Sequence, residues 1–420
     1  MTNPTPQKLV QNVLSIHVEE AAFLFLLRDN ATGQPHYSLR DLWALDGRVE
    51  AHLDGLRIAA DEGWKLVVEE LGWKEAGEFF VAALLAFESG KADRIEQVFA
   101  AVAGAPEGPP GVASALGWLS IEQARPHITR LLSDADPVRR LIGLSASAIH
   151  RHQPGAALGK ALIDPDLRLR ARGLKAAGEL GRTELIPALR QNLKAEDLAC
   201  RFWSAWSLLL LSNDPLGISA MRTLAETPSK FSERAAAMYA RRAEPTAVKE
   251  WYRKQPTKPP KVRLALKAAA ALGEIDAIPW LIGLMPQLPL ARLAGEAFTT
   301  ITGADLALLD LENKPPKDFP SGPTDNPADE DVSMDPDDNL PFPNPQKVAG
   351  WWSKNQGRFI PGTRYLLGKP MEVGNLGEVL RIGKQRQRTA AAIELSMRQP
   401  GTPLFETRMP GFRQRQLLSC

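Results

Sequence analysis

What the chain has little of excludes several classes of protein. It contains two cysteines, Cys200 and Cys420, in 420 residues, too few for a disulfide framework and typical of a reducing compartment. The first residues lack a basic stretch followed by a long apolar core, so we expect no signal peptide. The most apolar run, "AAFLFLL", is too short to cross a bilayer. These absences predict a soluble, cytoplasmic protein.

Motifs that carry catalytic or metal chemistry are missing too. The sequence has no HExxH or H-x₃-H spacing, no nucleophile elbow, no P-loop and no dinucleotide fingerprint. His150 and His152 are two residues apart, which places them on different faces of a helix. The acidic stretch "PADEDVSMDPDDN" lacks the spacing of a calcium-binding loop. We therefore predict a protein that is not an enzyme and has no metal site and no cofactor.

Aromatic residues make up only 7% of the chain, while alanine and leucine are abundant. That balance favours helix over sheet. Apolar residues recur at intervals of three or four from Leu39 to Leu56, the pattern of an amphipathic helix. The composition and this period predict an all-α protein.

Charge is distributed unevenly, although the whole chain carries only +2. Residues 1–311 hold equal numbers of acidic and basic side chains. Residues 312–346 hold nine acids and two bases and are rich in proline, which is typical of an extended linker. Residues 347–420 hold 13 bases and four acids. The two opposite charges raise the hypothesis that the acidic linker docks on the basic C-terminal section.

An internal repeat is visible in the middle of the chain. The stretch "DADPVRRLIGL" at Asp134 matches "DPDLRLRARGL" at Asp164, thirty residues later, and "AEDLACRFW" follows with a similar offset. Copies between residues 212 and 261 are degraded. Two helices in about thirty residues predict an α-solenoid, in which each pair buries its apolar face against the next. The aspartates supply N-caps, and glycines such as Gly143 allow close helix packing.

We divide the chain into four predicted segments. They are an N-terminal helical domain at 1–110, the repeat solenoid at 111–311, the acidic linker at 312–346 and a basic helical cap at 347–420. The cap is predicted to hold a short helix at "NPQKVAGWWSKN" and one longer helix at "NLGEVLRIGKQRQRTAAAIELSMRQ".

Several segments resemble a bacterial family with no assigned activity, whose core is built of HEAT repeats like those of phycobilisome (PBS) lyases. They are "EEAAFLFLLRD", "PHYSLRDLWALDGRVEAHLDGLRIA", "RLAGEAFTTITGADL", "DEDVSMDPDDNLPFPNP" and "RFIPGTRYLLGKP". Members of that family are often encoded near type VI secretion genes, so the resemblance implies an accessory, loading or adaptor role. It also implies that the recurring acids and arginines form an inter-repeat ladder, whose members would be Asp136, Arg140, Asp166, Arg170, Asp197 and Arg201. A ligand-facing role for these arginines is the alternative.

The sequence thus predicts an all-α, HEAT-like solenoid that binds a protein along its concave surface. The resemblance suggests secretion spike or effector proteins as partners. The candidate partner-binding residues lie in the basic section and are Trp351, Trp352, Arg381, Lys384, Arg386 and Arg388. The alternative is a nucleic-acid-binding solenoid, because arginine, glutamine and aromatic side chains can contact phosphates and bases. A near-neutral solenoid and the i, i+2 spacing of Arg386 and Arg388 disfavour it.

Overall fold

A computed structural model describes residues 6–255, 261–317, 319 and 335–419. Helices dominate it, and the described strands form only two short two-stranded ribbons. By internal contacts the chain forms two compact units. Unit 1 comprises residues 1–33, 37–203 and 401–420, and unit 2 comprises residues 34–36 and 204–400. The bounds of the four predicted segments rest on composition and periodicity, whereas the two units rest on contacts. The four segments therefore stay a prediction.

The helices in chain order are α1 (Pro6–Ala31), α2 (Leu39–Glu70), α3 (Ala76–Ser89), α4 (Ala92–Val102), α5 (Gly108–Trp118), α6 (Ile121–Leu132), α7 (Pro137–Ile149), α8 (Ala156–Ala161), α9 (Leu167–Glu179), α10 (Ile186–Asn192), α11 (Leu198–Leu211), α12 (Pro215–Glu226), α13 (Ser232–Arg242), α14 (Pro245–Arg253), α15 (Lys261–Leu272), α16 (Ile278–Leu284), α17 (Leu288–Thr302), α18 (Pro345–Asn355), α19 (Val373–Ile382), α20 (Gln385–Arg398) and α21 (Gly411–Leu418). Strands β1 (Glu312–Asn313) and β2 (Phe342–Pro343) pair antiparallel, as do β3 (Tyr365–Leu366) and β4 (Lys369–Pro370).

From α4 to α17 the helices alternate between a first and a second helix. The second helices are α5, α7, α9, α11, α13, α15 and α17. In unit 1, α3, α5, α7 and α9 pack in succession, and in unit 2, α13, α15 and α17 do the same. Each helix pair therefore buries its apolar face against its neighbours, as the repeat predicts. The degraded copies after residue 212 still form such pairs, α12 with α13 and α14 with α15.

The recurring aspartates begin the second helices, as predicted. A carboxylate oxygen of Asp136 accepts the backbone N–H of Val138 at 2.8 Å. Asp166 accepts from the backbone of α9 at 2.9 Å and Asp197 from that of α11 at 2.7 Å. These bonds satisfy N–H groups that have no partner within the helix. The aspartates of the predicted ladder thus act as N-caps.

Gly143 lies where α7 crosses α6. A Cβ atom there would stand 2.9 Å from Leu131 Cβ and 3.0 Å from the backbone nitrogen of Leu132. Since a backbone atom cannot move aside as a flexible side chain can, only glycine fits this crossing. The predicted role of Gly143 in close helix packing is confirmed.

Gly143→Val should therefore lower the free energy of unfolding by about 2–3 kcal/mol through overpacking. The matched control is Gly159→Ala in α8, where an added Cβ meets no atom within 4 Å. The control should be neutral or stabilising by up to about 1 kcal/mol, because alanine favours helix. Urea unfolding of both variants checks this. Equal effects of the two substitutions would contradict it.

The predicted long helix in the C-terminal section was wrong. Helix α19 ends before Gly383, and α20 begins after Lys384. Both residues adopt extended backbone, with ψ of 168° and 159°. The short helix predicted at "NPQKVAGWWSKN" is confirmed as α18. Within the described residues, no helix combines the length and the apolar character needed to cross a bilayer.

Candidate functional site

In unit 1 the last part of the chain, residues 401–419, packs against helices of the repeats. The guanidinium group of Arg413 donates to three carbonyl oxygens at the C-terminal end of α5, those of Gly117, Trp118 and Leu119, at 2.6–3.2 Å. A cation at a helix C-terminus satisfies free carbonyl groups and interacts favourably with the helix dipole. Arg413 therefore joins residues 401–419, which we call the tail, to the C-terminal end of a second helix in unit 1.

Main-chain contacts hold the preceding part of the tail. The side chain of Arg28 donates to the carbonyl oxygens of Arg408 at 2.6 Å and Met409 at 2.8 Å. The backbone N–H of Leu404 donates to the carbonyl oxygen of Glu179, at the end of α9, at 2.9 Å. These bonds are made to backbone atoms of the segment, so unit 1 holds residues 404–409 through their main chain.

In unit 2 arginines cap second helices in the same manner. Arg364 donates to the carbonyl oxygens of Leu272 at 2.8 Å and Ala271 at 3.1 Å, where α15 ends. Arg242 donates to the carbonyl oxygen of Leu209 near the end of α11 at 2.8 Å. The structure thus gives Arg364 and Arg413, from the basic section, the role of tying that section to helix ends within each unit.

Two of the predicted partner-binding arginines are likewise bonded to groups of their own unit. Arg388 is fully buried, and its Nε donates to the carbonyl oxygen of Leu380 at 2.7 Å. Its Nη1 donates to Gln385 Oε1. Arg386 is half-buried and pairs with Glu296 at 2.9 Å. Arg388 is therefore a structural residue and not a partner contact in this structure, because its guanidinium group is unreachable from solvent.

The other predicted residues of the basic section are more open. Arg381 is exposed, and its Nε donates to its own helix at 3.3 Å. Trp351 packs edge-on against Phe298 of α17, with ring centroids 5.7 Å apart. Trp352 packs against Phe359 at 5.5 Å. Both tryptophans are half-buried, so they join the section to its surroundings while keeping part of each ring accessible.

The acidic segment reaches the second helices where it is described. Asp337 pairs with Arg263 of α15 at 2.5 Å, and Asp335 pairs with Arg292 of α17. The guanidinium group of Arg386 also donates to the carbonyl oxygen of Pro336 at 2.6 Å. The end of the acidic segment therefore contacts both the repeats and the basic section. Residues 320–334 lie outside the described residues.

The repeat arginines share one local contact. Arg140 donates to the carbonyl oxygens of Asp134 and Ala135, in the loop before its own helix, at 3.0 and 2.6 Å. Arg170 and Arg201 donate to the equivalent loop carbonyls at 2.7–2.9 Å. Arg140 also pairs with Asp164 of the following repeat at 3.1 Å. This link joins Arg140 to Asp164, which is not one of the aspartates of the predicted ladder, and the ladder itself stays a prediction.

Unit 2 contains a cavity of about 570 Å³. Second helices α13, α15 and α17 line it together with α20, and further residues come from segments 35–36, 305–312, 338–341 and 366–371. Alanine and leucine make up much of the wall, including the half-exposed alanines Ala237, Ala270 and Ala390. The predicted residues Lys384 and Arg386 line it as well. Its size and apolar wall are those of a ligand pocket.

Charged groups lie around this apolar wall. Glu296 of α17 pairs with Lys267 at 3.2 Å and with Arg386 at 2.9 Å. Burial alone would raise the pKa of the Glu296 carboxyl, but these two cations hold that pKa below its ordinary value. Glu296 is therefore ionised at neutral pH and forms ion pairs with two cations.

A second buried carboxylate lies on α20. Glu394 is 2% exposed and pairs with Arg364 at 2.6 Å and with Arg398. Arg241 Nε lies 3.5 Å from Glu394 Oε1, yet it is buried and has no hydrogen-bond partner. Burial would raise the pKa of Glu394, and the three guanidinium groups together lower it. One carboxylate thus neutralises three arginines only in part.

The charged helix residues of the cavity that sequence reasoning missed are Arg241, Lys267, Glu296 and Glu394. Each lies in a helix that carries other charged residues and is rich in alanine, and a charged residue of such a helix is by itself typical of a solvent-facing position. The signal that could have found Glu394 is the likeness of "RQRTAAAIELS" to the second helices of the repeats. A charged side chain on such a helix faces its neighbours once the helix packs on the stack.

Comparison with known proteins identifies the repeat. The family model for HEAT repeats matches residues 155–241, which extend from α8 to α13. No curated protein matches the chain. With the helix pairs described above, this match confirms the predicted fold class, an all-α HEAT-like solenoid.

Proposed function

We propose that this protein is a non-enzymatic scaffold that binds a protein partner, and that a short segment of the partner enters the cavity of unit 2. HEAT repeats commonly mediate protein interactions, and their fold is typically non-catalytic. The observation that carries the proposal is the cavity itself. It lies between second helices and the C-terminal section of unit 2, and both contribute residues to its wall.

The wall of the cavity supports a peptide as the guest. Its half-exposed alanines offer apolar surface without filling the space, and its volume of about 570 Å³ suits a few side chains. Burial of apolar side chains in such a pocket contributes about 25 cal/mol per Å². Polar groups around the apolar wall then fix the orientation of the guest.

The finer role rests on the family resemblance of the flanking segments. It suggests an accessory, loading or adaptor factor of bacterial type VI secretion, acting in the cytoplasm on spike or effector proteins. Nucleic acid is a weaker candidate, because Arg386, Arg388 and Arg413 are engaged with carboxylates and carbonyl oxygens of their own unit.

Filling the cavity should abolish partner binding. Ala270→Trp on α15 places an indole in the cavity, whereas Ala247→Trp places one on an exposed position of α14 in the same unit. Purified spike and effector proteins encoded beside the gene are captured on immobilised full-length protein. We expect the wild-type chain and the Ala247→Trp variant to retain one of them and the Ala270→Trp variant to lose it. Failure of the wild-type chain to capture any of them contradicts the secretion role, and undiminished capture by Ala270→Trp contradicts the cavity as the binding site.

A further inference from the structure

The cavity of unit 2 has a surplus of positive charge along one side. Its cations there are Arg241 of α13, Lys267 of α15, and Lys384 and Arg386 at the start of α20. The carboxylates facing them are Glu296 and Glu394, and each of these is shared among several cations. Basic groups therefore outnumber acidic groups on the α13–α15–α20 side.

Two of these cations lack some of the acceptors or counter-ions that they could bind. Arg241 has a side chain 10% exposed, and its Nε–H is buried without a hydrogen-bond partner. A buried donor without an acceptor is unfavourable, and native proteins leave few of them. Within the described residues, Lys384 Nζ has no carboxylate within 4.0 Å. Both side chains line the same cavity.

Acidic residues line the cavity from a different part of the chain. Asp305 and Glu312 follow α17, and Asp338 belongs to the acidic segment. Asp305 accepts N–H groups of its own turn, and Asp338 lies 4.0 Å from Arg292. The basic lining residues thus belong to α13, α15 and the start of α20, and these three acidic residues belong to the segments after α17, of which the acidic segment also contacts Arg386 through the carbonyl oxygen of Pro336 at 2.6 Å.

We infer that the cavity binds a guest with an apolar body that ends in a carboxylate, and that the carboxylate lies on the basic side near Lys384 and Arg241. The inference rests on the proposed function, since it specifies what enters the same cavity. Alanine and leucine side chains contact the apolar body. The carboxylate supplies an acceptor for Lys384 Nζ, and charge-assisted hydrogen bonds of this kind are stronger than neutral ones. Arg241, whose Nη1 donates to the carbonyl oxygen of Ala237 at 3.1 Å, adds positive charge beside it. Such a carboxylate occurs at the C-terminus of a protein and in a fatty acid.

The test uses full-length protein and matched pairs of probes that differ only in the charged end. Decanoate is compared with decanamide, and acetyl-Ala-Leu-Leu with a free carboxylate is compared with its amide, by isothermal titration calorimetry below the micelle concentration of decanoate. We expect at least one acid to bind about tenfold more tightly than its amide, and this preference to weaken as salt is raised. Binding of the peptide acid alone identifies a protein C-terminus as the guest, and comparable binding of decanoate identifies a fatty acid.

Variants show whether the cavity is responsible. Lys384→Gln should weaken binding of the acid about fivefold or more and leave the amide unchanged. Lys369→Gln is the matched control, because Lys369 is exposed, pairs with Glu378 and does not line the cavity. Equal affinity for acid and amide, or an acid preference that survives Lys384→Gln, overturns the inference. Neither result affects capture of a protein partner in the Ala270→Trp experiment, so failure of the inference and failure of the proposed function are distinguishable.

Discussion

Replacing Glu394 with glutamine is expected to lower the free energy of unfolding by about 3–5 kcal/mol. The carboxylate is 2% exposed and pairs with Arg364 and Arg398, while Arg241 lies 3.5 Å away. Glutamine keeps the shape and removes the charge, so the guanidinium groups stay buried without their counter-ion. Urea unfolding of the wild-type and variant proteins at neutral pH measures the difference.

The pH dependence of this difference gives a second readout. Because the folded pKa of Glu394 lies below its ordinary value, this group contributes stability that is fully present above the ordinary value of about 4.5. That stability is lost as the pH falls through the folded pKa, where the wild-type carboxylate takes up a proton. Glu394→Gln has no such group, so the gap between the two proteins should narrow in acid. A gap that is constant with pH would contradict a role for the charge.

Glu378→Gln is the control for this experiment. Glu378 lies on the neighbouring helix α19 and pairs with Lys369, and both side chains are about half exposed. Exposed ion pairs contribute less than about 1 kcal/mol. A similar loss of unfolding free energy in both variants would show that burial of Glu394 inside unit 2 does not increase its contribution to stability.

The second large effect is expected at Asp46 in unit 1. Its carboxylate is 1% exposed, pairs with Arg28 at 2.7 Å, and accepts the backbone N–H of Gly411 at the start of α21. Asp46→Ala leaves Arg28 buried without its counter-ion and releases one anchor of the tail. We expect the free energy of unfolding to fall by about 3–5 kcal/mol.

Hydrogen exchange locates this effect. Amide protons in residues 404–418 should exchange faster in Asp46→Ala, because the tail loses one of its anchors. The matched control is Asp29→Asn. Asp29 contacts the same tail through Arg408, but its side chain is 43% exposed and that of Arg408 58%. Asp29→Asn should lower the free energy of unfolding by less than about 1 kcal/mol. Unchanged exchange in the tail of Asp46→Ala would refute the anchoring role.

Local features of the repeats could be predicted from the sequence because they depend on residues close together in the chain. An aspartate one residue before a helix supplies an acceptor for that helix, and Asp136 and Asp166 do so. A glycine that recurs at one position of an apolar helix indicates a close crossing, and Gly143 makes one. The break at Gly383 was missed, because apolar spacing continues from α19 into α20 and masks two residues of extended backbone.

The all-α class, the thirty-residue repeat and the excess of basic residues in the last section follow from the amino-acid sequence alone. The contacts of those basic residues depend on how distant segments pack. Arg364 and Arg413 meet the ends of helices that are distant in sequence, and Arg388 is buried within its own section. The cavity of unit 2 likewise combines residues from α13, α15, α17 and α20. Charge and periodicity are properties of neighbouring residues, whereas a helix end or a cavity acquires its partners only when distant segments pack together.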